Sequence, residues 1–152
     1  MNENAAFLEI QNLQVAFHLR AGVLQAVSGV DLTLNTGQTL GIVGESGSGK
    51  SVTAKAIVRL NPTPPAQTTG QVLVDGEDVY VQSMEELRQI RGRKISMIFQ
   101  EPMTSLNPVF TIGNQMTAGM IEHLKISKLE ALDRAADLLT KVGIPSPRER
   151  LK

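Results

Sequence analysis

Gly44-Glu45-Ser46-Gly47-Ser48-Gly49-Lys50-Ser51 constrains this chain more than any other stretch, because it satisfies the pattern G-x-x-x-x-G-K-[ST] at every required position. Glycines at 44, 47 and 49 remove the Cβ atoms that would stop a backbone from curling tightly, and they admit positive φ where the curl needs it. Such a loop can aim a row of N–H groups at one anion. The apolar run 38–43 before it predicts a short buried strand, and residues 51–60 after it predict a helix. The unpaired amides and dipole of that helix's N-terminus add to the anion site. Lys50 is placed to reach β- and γ-phosphates, and the Ser51 hydroxyl to ligate Mg²⁺. A nucleotide site follows. Kinases, GTPases and transport ATPases all use such a loop, so the motif alone leaves the class open.

Upstream, residues 7–17 place apolar side chains at 8, 10, 13, 15 and 17, an alternation with a slip near Asn12, as in a half-buried strand. Ala21-Gly22 predicts a turn, residues 24–34 resume the alternation, and Asn35-Thr36-Gly37 is expected to close a hairpin into the strand at 38–43. A kinase or GTPase usually begins near its phosphate loop, so this prefix speaks for another class.

Downstream, Asn61-Pro62-Thr63-Pro64-Pro65 breaks the helix. Residues 70–79 combine a strand with an Asp75-Gly76 turn. Residues 83–91 predict a helix with Ser83 as N-cap and Glu86 at capping-box spacing. Its basic end, Arg88, Arg91, Arg93 and Lys94, suits either a phosphate patch or a solvated helix terminus whose cations offset the dipole. Residues 94–99 predict a second apolar strand running into the polar, proline-bounded segment 100–108. Gln100 thus stands at a strand's carboxyl end, where open α/β sheets meet their ligands, and can position Mg²⁺ or a water, or serve as an ordinary loop residue. Two helices are expected at 112–124 and 127–142, the second with Leu129, Leu132, Ala136, Leu139 and Val142 near one face.

The 152 residues bound the chain to one domain. Lysines and arginines number 15 and aspartates and glutamates 15, so no basic field argues for a nucleic-acid partner. The absence of cysteine rules out a disulfide frame and a thiolate metal site. His18 and His123 lack a second ligand at metal spacing. Neither a signal peptide nor a membrane-spanning run is expected, so any membrane role must come through a partner protein.

The phosphate loop, the upstream hairpin and the segment Phe99-Gln100-Glu101-Pro102-Met103-Thr104-Ser105-Leu106-Asn107-Pro108 together resemble the ATP-binding subunit of ABC transporters. The last segment, with Gly44 to Ala54, is similar to the dipeptide, oligopeptide, nickel and glutathione importer branch. The resemblance implies an α/β, P-loop ABC-type nucleotide-binding domain, truncated, in which an antiparallel β subdomain adjoins a mixed sheet with helices and the start of a helical subdomain. Its implied divisions within 1–152 are an antiparallel β subdomain at 5–37, a P-loop core at 38–100, a glutamine loop at 101–111 and the helical start at 112–152. It further implies ATP and Mg²⁺ as cofactors, with Phe17, Gly44, Glu45, Ser46, Gly47, Ser48, Gly49, Lys50, Ser51 and Val52 contacting nucleotide. Phe17 matches the aromatic that stacks on adenine, although a strand phenylalanine also fits a core. Ser51 and Gln100 match the Mg²⁺ ligands. No catalytic base is matched, and Gln100 stands as the metal- and water-positioning candidate. Implied partners are transmembrane permease subunits, near Gln100 to Pro108, and a second ATP-binding subunit, with the protein peripheral on the cytoplasmic face of the inner membrane.

Family members continue with a Leu-Ser-Gly-Gly-Gln signature, an apolar strand ending in Asp followed by a catalytic Glu, and a switch His. None occurs before Lys152. The resemblance therefore implies import of peptides or a related solute, powered by ATP hydrolysis, while the isolated chain is expected to be a poor ATPase; a non-hydrolysing nucleotide binder is the alternative, and a P-loop kinase or GTPase a more distant one. The purified chain is expected to melt broadly and to turn over Mg-ATP slowly. A cooperative calorimetric transition together with turnover at the family's ordinary rate would contradict both expectations.

Overall fold

A computed structural model describes residues 6–100 and 105–152. The chain divides into two compact units, Met1–Ser96 and Met97–Lys152.

The first unit is built on a four-stranded antiparallel sheet in the order β2-β1-β3-β4, formed by β1 (Ala6–Leu19), β2 (Gly22–Asn35), β3 (Ala66–Val74) and β4 (Glu77–Asp78). β1 is paired along both edges, with Val15 opposite Val27 of β2 and Thr68 of β3. The slip legible at Asn12 is a bulge: Asn12 takes φ 47, and the register shifts between Ile10 and Leu13 against β2 and between Gln11 and Gln14 against β3. One inserted residue returns Leu13 and Val15 to the face already used by Leu8 and Ile10, and all four are buried. The bulge amide donates to Asp31 Oδ1 at 2.7 Å. At the β3–β4 turn Asp75 and Gly76 both have positive φ (53 and 78), as a two-residue hairpin requires.

Helix α1 (Lys50–Ile57) and helix α2 (Met84–Ile90) cover this sheet, and Ala56, Leu87 and Ile90 join its core. α1 stops short of the predicted residue 60 because Arg59 turns left-handed (φ 51). α2 begins on the predicted capping box: Glu86 N–H donates to Ser83 Oγ at 3.3 Å, and Ser83 N–H donates to Glu86 Oε2 at 2.9 Å. Lys94 Nζ donates to Glu77 Oε1 (2.8 Å) and Asp75 Oδ2 (2.9 Å), which hold its ammonium above the usual lysine range.

Two predicted strands do not form. Residues 38–43 and 96–99 have no regular secondary structure and belong to no sheet, and the nearest approach to a parallel ladder is an isolated bridge between Arg91 and Ile95. A strand exists only through hydrogen bonds to a neighbour, and among the described residues none runs alongside either segment. Their apolar side chains are correspondingly open: Val43 is 92% and Ile98 93% exposed. The turn at Asn35-Thr36-Gly37 is present but opens into this unpaired segment instead of closing a hairpin. Among the described residues the antiparallel part of the expected architecture is therefore formed, and the mixed sheet is not.

The second unit holds α3 (Ile112–Leu124), α4 (Lys128–Lys141) and the single turn α5 (Pro147–Arg150), which no sequence pattern marks. Thr111 and Ser127 cap α3 and α4 through their hydroxyls. Leu132, Ala136 and Leu139 pack inward as expected, but Leu129 and Val142 are each 72% exposed, because the buried face is centred on Ala131 and Ala135. Gly113 lets α3 approach the chain end: its N–H donates to the Leu151 carbonyl at 2.8 Å, and a Cβ there would lie 2.6 Å from that oxygen. Among the described residues no helix is long and apolar enough to cross a membrane. Residues 101–104 of the predicted glutamine loop lie outside the described residues.

The capping box is pH-sensitive with a definite sign. Hydrogen bonds from Ser83 hold the Glu86 carboxyl below the usual glutamate range, so the stability it contributes is present above glutamate's unfolded pKa and is lost as pH falls through the lowered folded value. Ser83→Ala should lower the thermal midpoint by a few degrees at neutral pH, and the difference from wild type should shrink in acid, as followed by far-UV circular dichroism.

Candidate functional site

Residues 44–49 form the turn that delivers the chain into α1. Gly47 and Gly49 take φ 82 and 89, which side-chain-bearing residues rarely adopt. Gly49 is the N-cap of α1 and provides no side chain to bond the helix's first amides. The first turn contains no acidic residue either. The helix ladder starts with Thr53 N–H donating to the Gly49 carbonyl at 2.8 Å, so the amides of Lys50, Ser51 and Val52 have no place in it. In α2, α3 and α4 a serine or threonine hydroxyl fills this role. α1 thus presents its positive end uncompensated, which is the electrostatic requirement for an anion.

Lys50 supplies the mobile charge. Its Nζ donates to the carbonyls of Gly44 (2.7 Å) and Glu45 (2.7 Å) and lies 3.2 Å from Ser48 Oγ. The loop is closed below by Ser48 N–H donating to the Glu45 carbonyl at 3.2 Å. All the ammonium's partners are neutral oxygens, which a phosphate oxygen outcompetes because both members of the new bond are charged. Ser51 is exposed at the start of α1 and Val52 is half-buried against the core. The Ser51 hydroxyl is an oxygen donor of the kind Mg²⁺ takes beside phosphates. Among the described residues there is no cluster of three or more His, Cys, Asp or Glu able to hold a metal.

The loop has a seat that sequence reasoning missed. A Cβ on Gly49 would lie 2.6 Å from the Ala26 carbonyl and 3.5 Å from Val27 Cγ2, so the loop rests directly on β2. No local signal marks Ala26, since its role depends on a contact across the chain. Asn61 Nδ2 fastens α1 from the other side by donating to the Val52 carbonyl at 3.1 Å. Phe17 lies in β1 opposite Leu24 and Ala66, half-buried against the core. Gln100 belongs to the second unit and is exposed. The structure therefore assembles residues 44–52 into one site, and the remaining sequence candidates, Phe17 and Gln100, take no part in the loop's hydrogen bonds. His18 is accounted for by a 2.9 Å hydrogen bond with Gln67.

A loop of this geometry at the head of a helix defines a phosphate-binding P-loop domain, and comparison with known proteins gives its family. The family model described as ABC transporter matches residues 27–152, and the chain belongs to that family. The oligopeptide transport ATP-binding protein OppD of Bacillus subtilis (strain 168) is 48% identical over 145 residues, covering 95% of this chain and 40% of the relative. The dipeptide transport ATP-binding protein DppD of the same organism is 48% identical over 146 residues, covering 95% of this chain and 44% of the relative. The chain thus spans less than half the length of these relatives. Among solved structures, the dimeric post-hydrolysis state of the ATP-binding cassette MJ0796 bound to ADP and Pi matches with a TM-score of 0.73 and 27% identity, covering 88% of this chain and 56% of that one.

The seat on β2 can be isolated by two substitutions. Gly49→Ala meets both the positive φ and the Ala26 carbonyl, whereas Gly47→Ala meets only the strain, because nothing lies within 4 Å of its added Cβ. Each should lose about 1–2 kcal/mol from backbone strain, with Gly49→Ala the more destabilised in urea titrations. Equal losses would remove the Ala26 contact as a determinant of loop position.

Proposed function

We propose that this chain carries the phosphate-loop and glutamine-loop parts of an ATP-binding subunit of a peptide-type ABC importer, and that residues 44–52 bind the phosphates of ATP. The observation that carries the reading is the uncompensated N-terminus of α1, opening from a glycine loop over which Lys50 is held by neutral oxygens alone. The likeness to the oligopeptide and dipeptide transport ATP-binding proteins supports the peptide branch.

In this reading the amides of the loop and first helical turn take the phosphate oxygens, Lys50 turns from its carbonyls toward the β- and γ-phosphates, and Ser51 would ligate Mg²⁺ through its hydroxyl, Gln100 being the second ligand that the family resemblance implies. The bound metal supplies charge neutralisation across those phosphates. Phosphoryl transfer to water then rests on positioning and electrostatics, with little covalent chemistry for the protein to do. Phe17 provides the surface for adenine. Residues 100–108 meet the membrane-embedded permease subunits, a second ATP-binding subunit completes the nucleotide sandwich, and the protein works on the cytoplasmic face of the membrane. The divisions at 5–37, 38–100, 101–111 and 112–152 belong to the same proposal.

Titration with a fluorescent ATP analogue and Mg²⁺ tests it. Saturable binding is expected, weakened roughly tenfold or more in Lys50→Ala by loss of charge-assisted hydrogen bonds. Equal affinity in both proteins, or no binding by either, would overturn the assignment of the loop. Phosphate release by the same preparation separates turnover from binding alone.

A further inference from the structure

The far end of α1 is held as deliberately as its near end is left open. α1 buries only Thr53 and Ala56 completely, and at eight residues it is too short to persist without outside support. That support comes from side chains that bond carbonyls at and just beyond its C-terminus, where Arg59 N–H already donates to the Ala56 carbonyl at 2.9 Å. Tyr80 Oη donates to the Ala56 carbonyl at 3.0 Å. Arg91 Nε donates to the Val58 carbonyl at 2.8 Å, and Arg91 Nη2 to the Arg59 carbonyl at 2.6 Å. Arg59 in turn donates to the Gln82 carbonyl at 3.0 Å, with its guanidinium 5.9 Å from the centroid of the Tyr80 ring.

Arg91 is one of the basic residues for which the sequence allows a phosphate patch or a solvated end of α2. It does neither. It caps α2 through its backbone and spends its side chain on the C-cap residue of α1, Val58, and the residue after it, Arg59, 33 and 32 residues earlier in the chain. A forked guanidinium is suited to this: it stays charged when half-buried, and its planar donors fit two adjacent carbonyls at once. Burial and the neighbouring Arg59 push its pKa below the usual arginine value, the signature of a charge drawn into the structure.

We infer that Arg91 is a positioning residue for the phosphate site: by clamping the Val58 and Arg59 carbonyls it fixes the axis of α1, and so the place of the loop amides at the helix's other end. The inference rests on the nucleotide reading above. α1 is only about 12 Å long, so a release at its C-terminal end is felt by the amides at its other end. Anion affinity falls steeply when donors move from hydrogen-bonding distance.

The test uses the 152-residue chain with Arg91→Ala and Arg91→Lys, and two readouts: amide hydrogen exchange across residues 50–57 without nucleotide, and Kd for ADP well below each variant's melting temperature. Arg91→Ala should exchange faster across α1 than across β1 and weaken ADP binding about tenfold; Arg91→Lys, which keeps the charge but loses the fork, should fall between. Millimolar guanidinium should restore ADP affinity in Arg91→Ala. If Arg91→Ala does not fold, Arg91→Lys carries the test alone. Wild-type Kd in the folded variants, whatever their melting temperatures, would overturn the inference and leave Arg91 with a purely stabilising role. Failure of wild type to bind ADP would overturn the nucleotide reading instead; the clamp would then stand or fall on whether α1 exchanges faster in the variants.

Discussion

The first unit depends on β1 being hydrogen-bonded along both edges. On one side β1 holds β2, whose Ala26 carbonyl is the seat of the phosphate loop. On the other it holds β3, from which the chain runs through the β4 turn to Tyr80 and on to Arg91. The helix between loop and clamp is therefore supported at its head by β2 and at its far end by Tyr80 and Arg91, which follow β3 and β4 in the chain. The bulge at Asn12 is what makes this possible without turning an apolar face to water, since it restores the alternation midway along a 14-residue strand.

Much of this was legible in the sequence because it rests on short-range chemistry. The alternation at 8, 10, 13, 15 and 17, the Asp75-Gly76 turn, the Ser83–Glu86 box and the glycine loop each follow from residues a few positions apart, and each is present. What sequence could not give is partnership. Leu40, Ile42 and Val43 have the apolar character of a buried strand, but whether a strand forms depends on a neighbour elsewhere in the chain. Arg91 fails for the same reason in the opposite direction: its neighbours in sequence suggest a solvated basic cluster, and only the fold brings the end of α1 within its reach. On α4 the inward face drifted because a stripe through 129, 132, 136, 139 and 142 spans more of the helix circumference than the small contact around Ala131 and Ala135 covers.

Within the site, the division of labour is between fixed and mobile groups. The amides at the head of α1 are set by backbone geometry and cannot turn away from an anion. Lys50 is a flexible cation whose present partners are the loop's own oxygens, so the loop is shaped by the same side chain that would later leave it. A preformed curl of this kind spares a ligand part of the cost of ordering the loop.

The unpaired stretch at 38–43 has a consequence for how the protein behaves in a tube. Among the described residues it belongs to no sheet, and Leu40, Ile42 and Val43 are exposed along it, which is the template that edge-to-edge association uses. Neither a proline nor a lysine interrupts those residues. An open edge of this kind is the feature that favours association between copies as concentration rises.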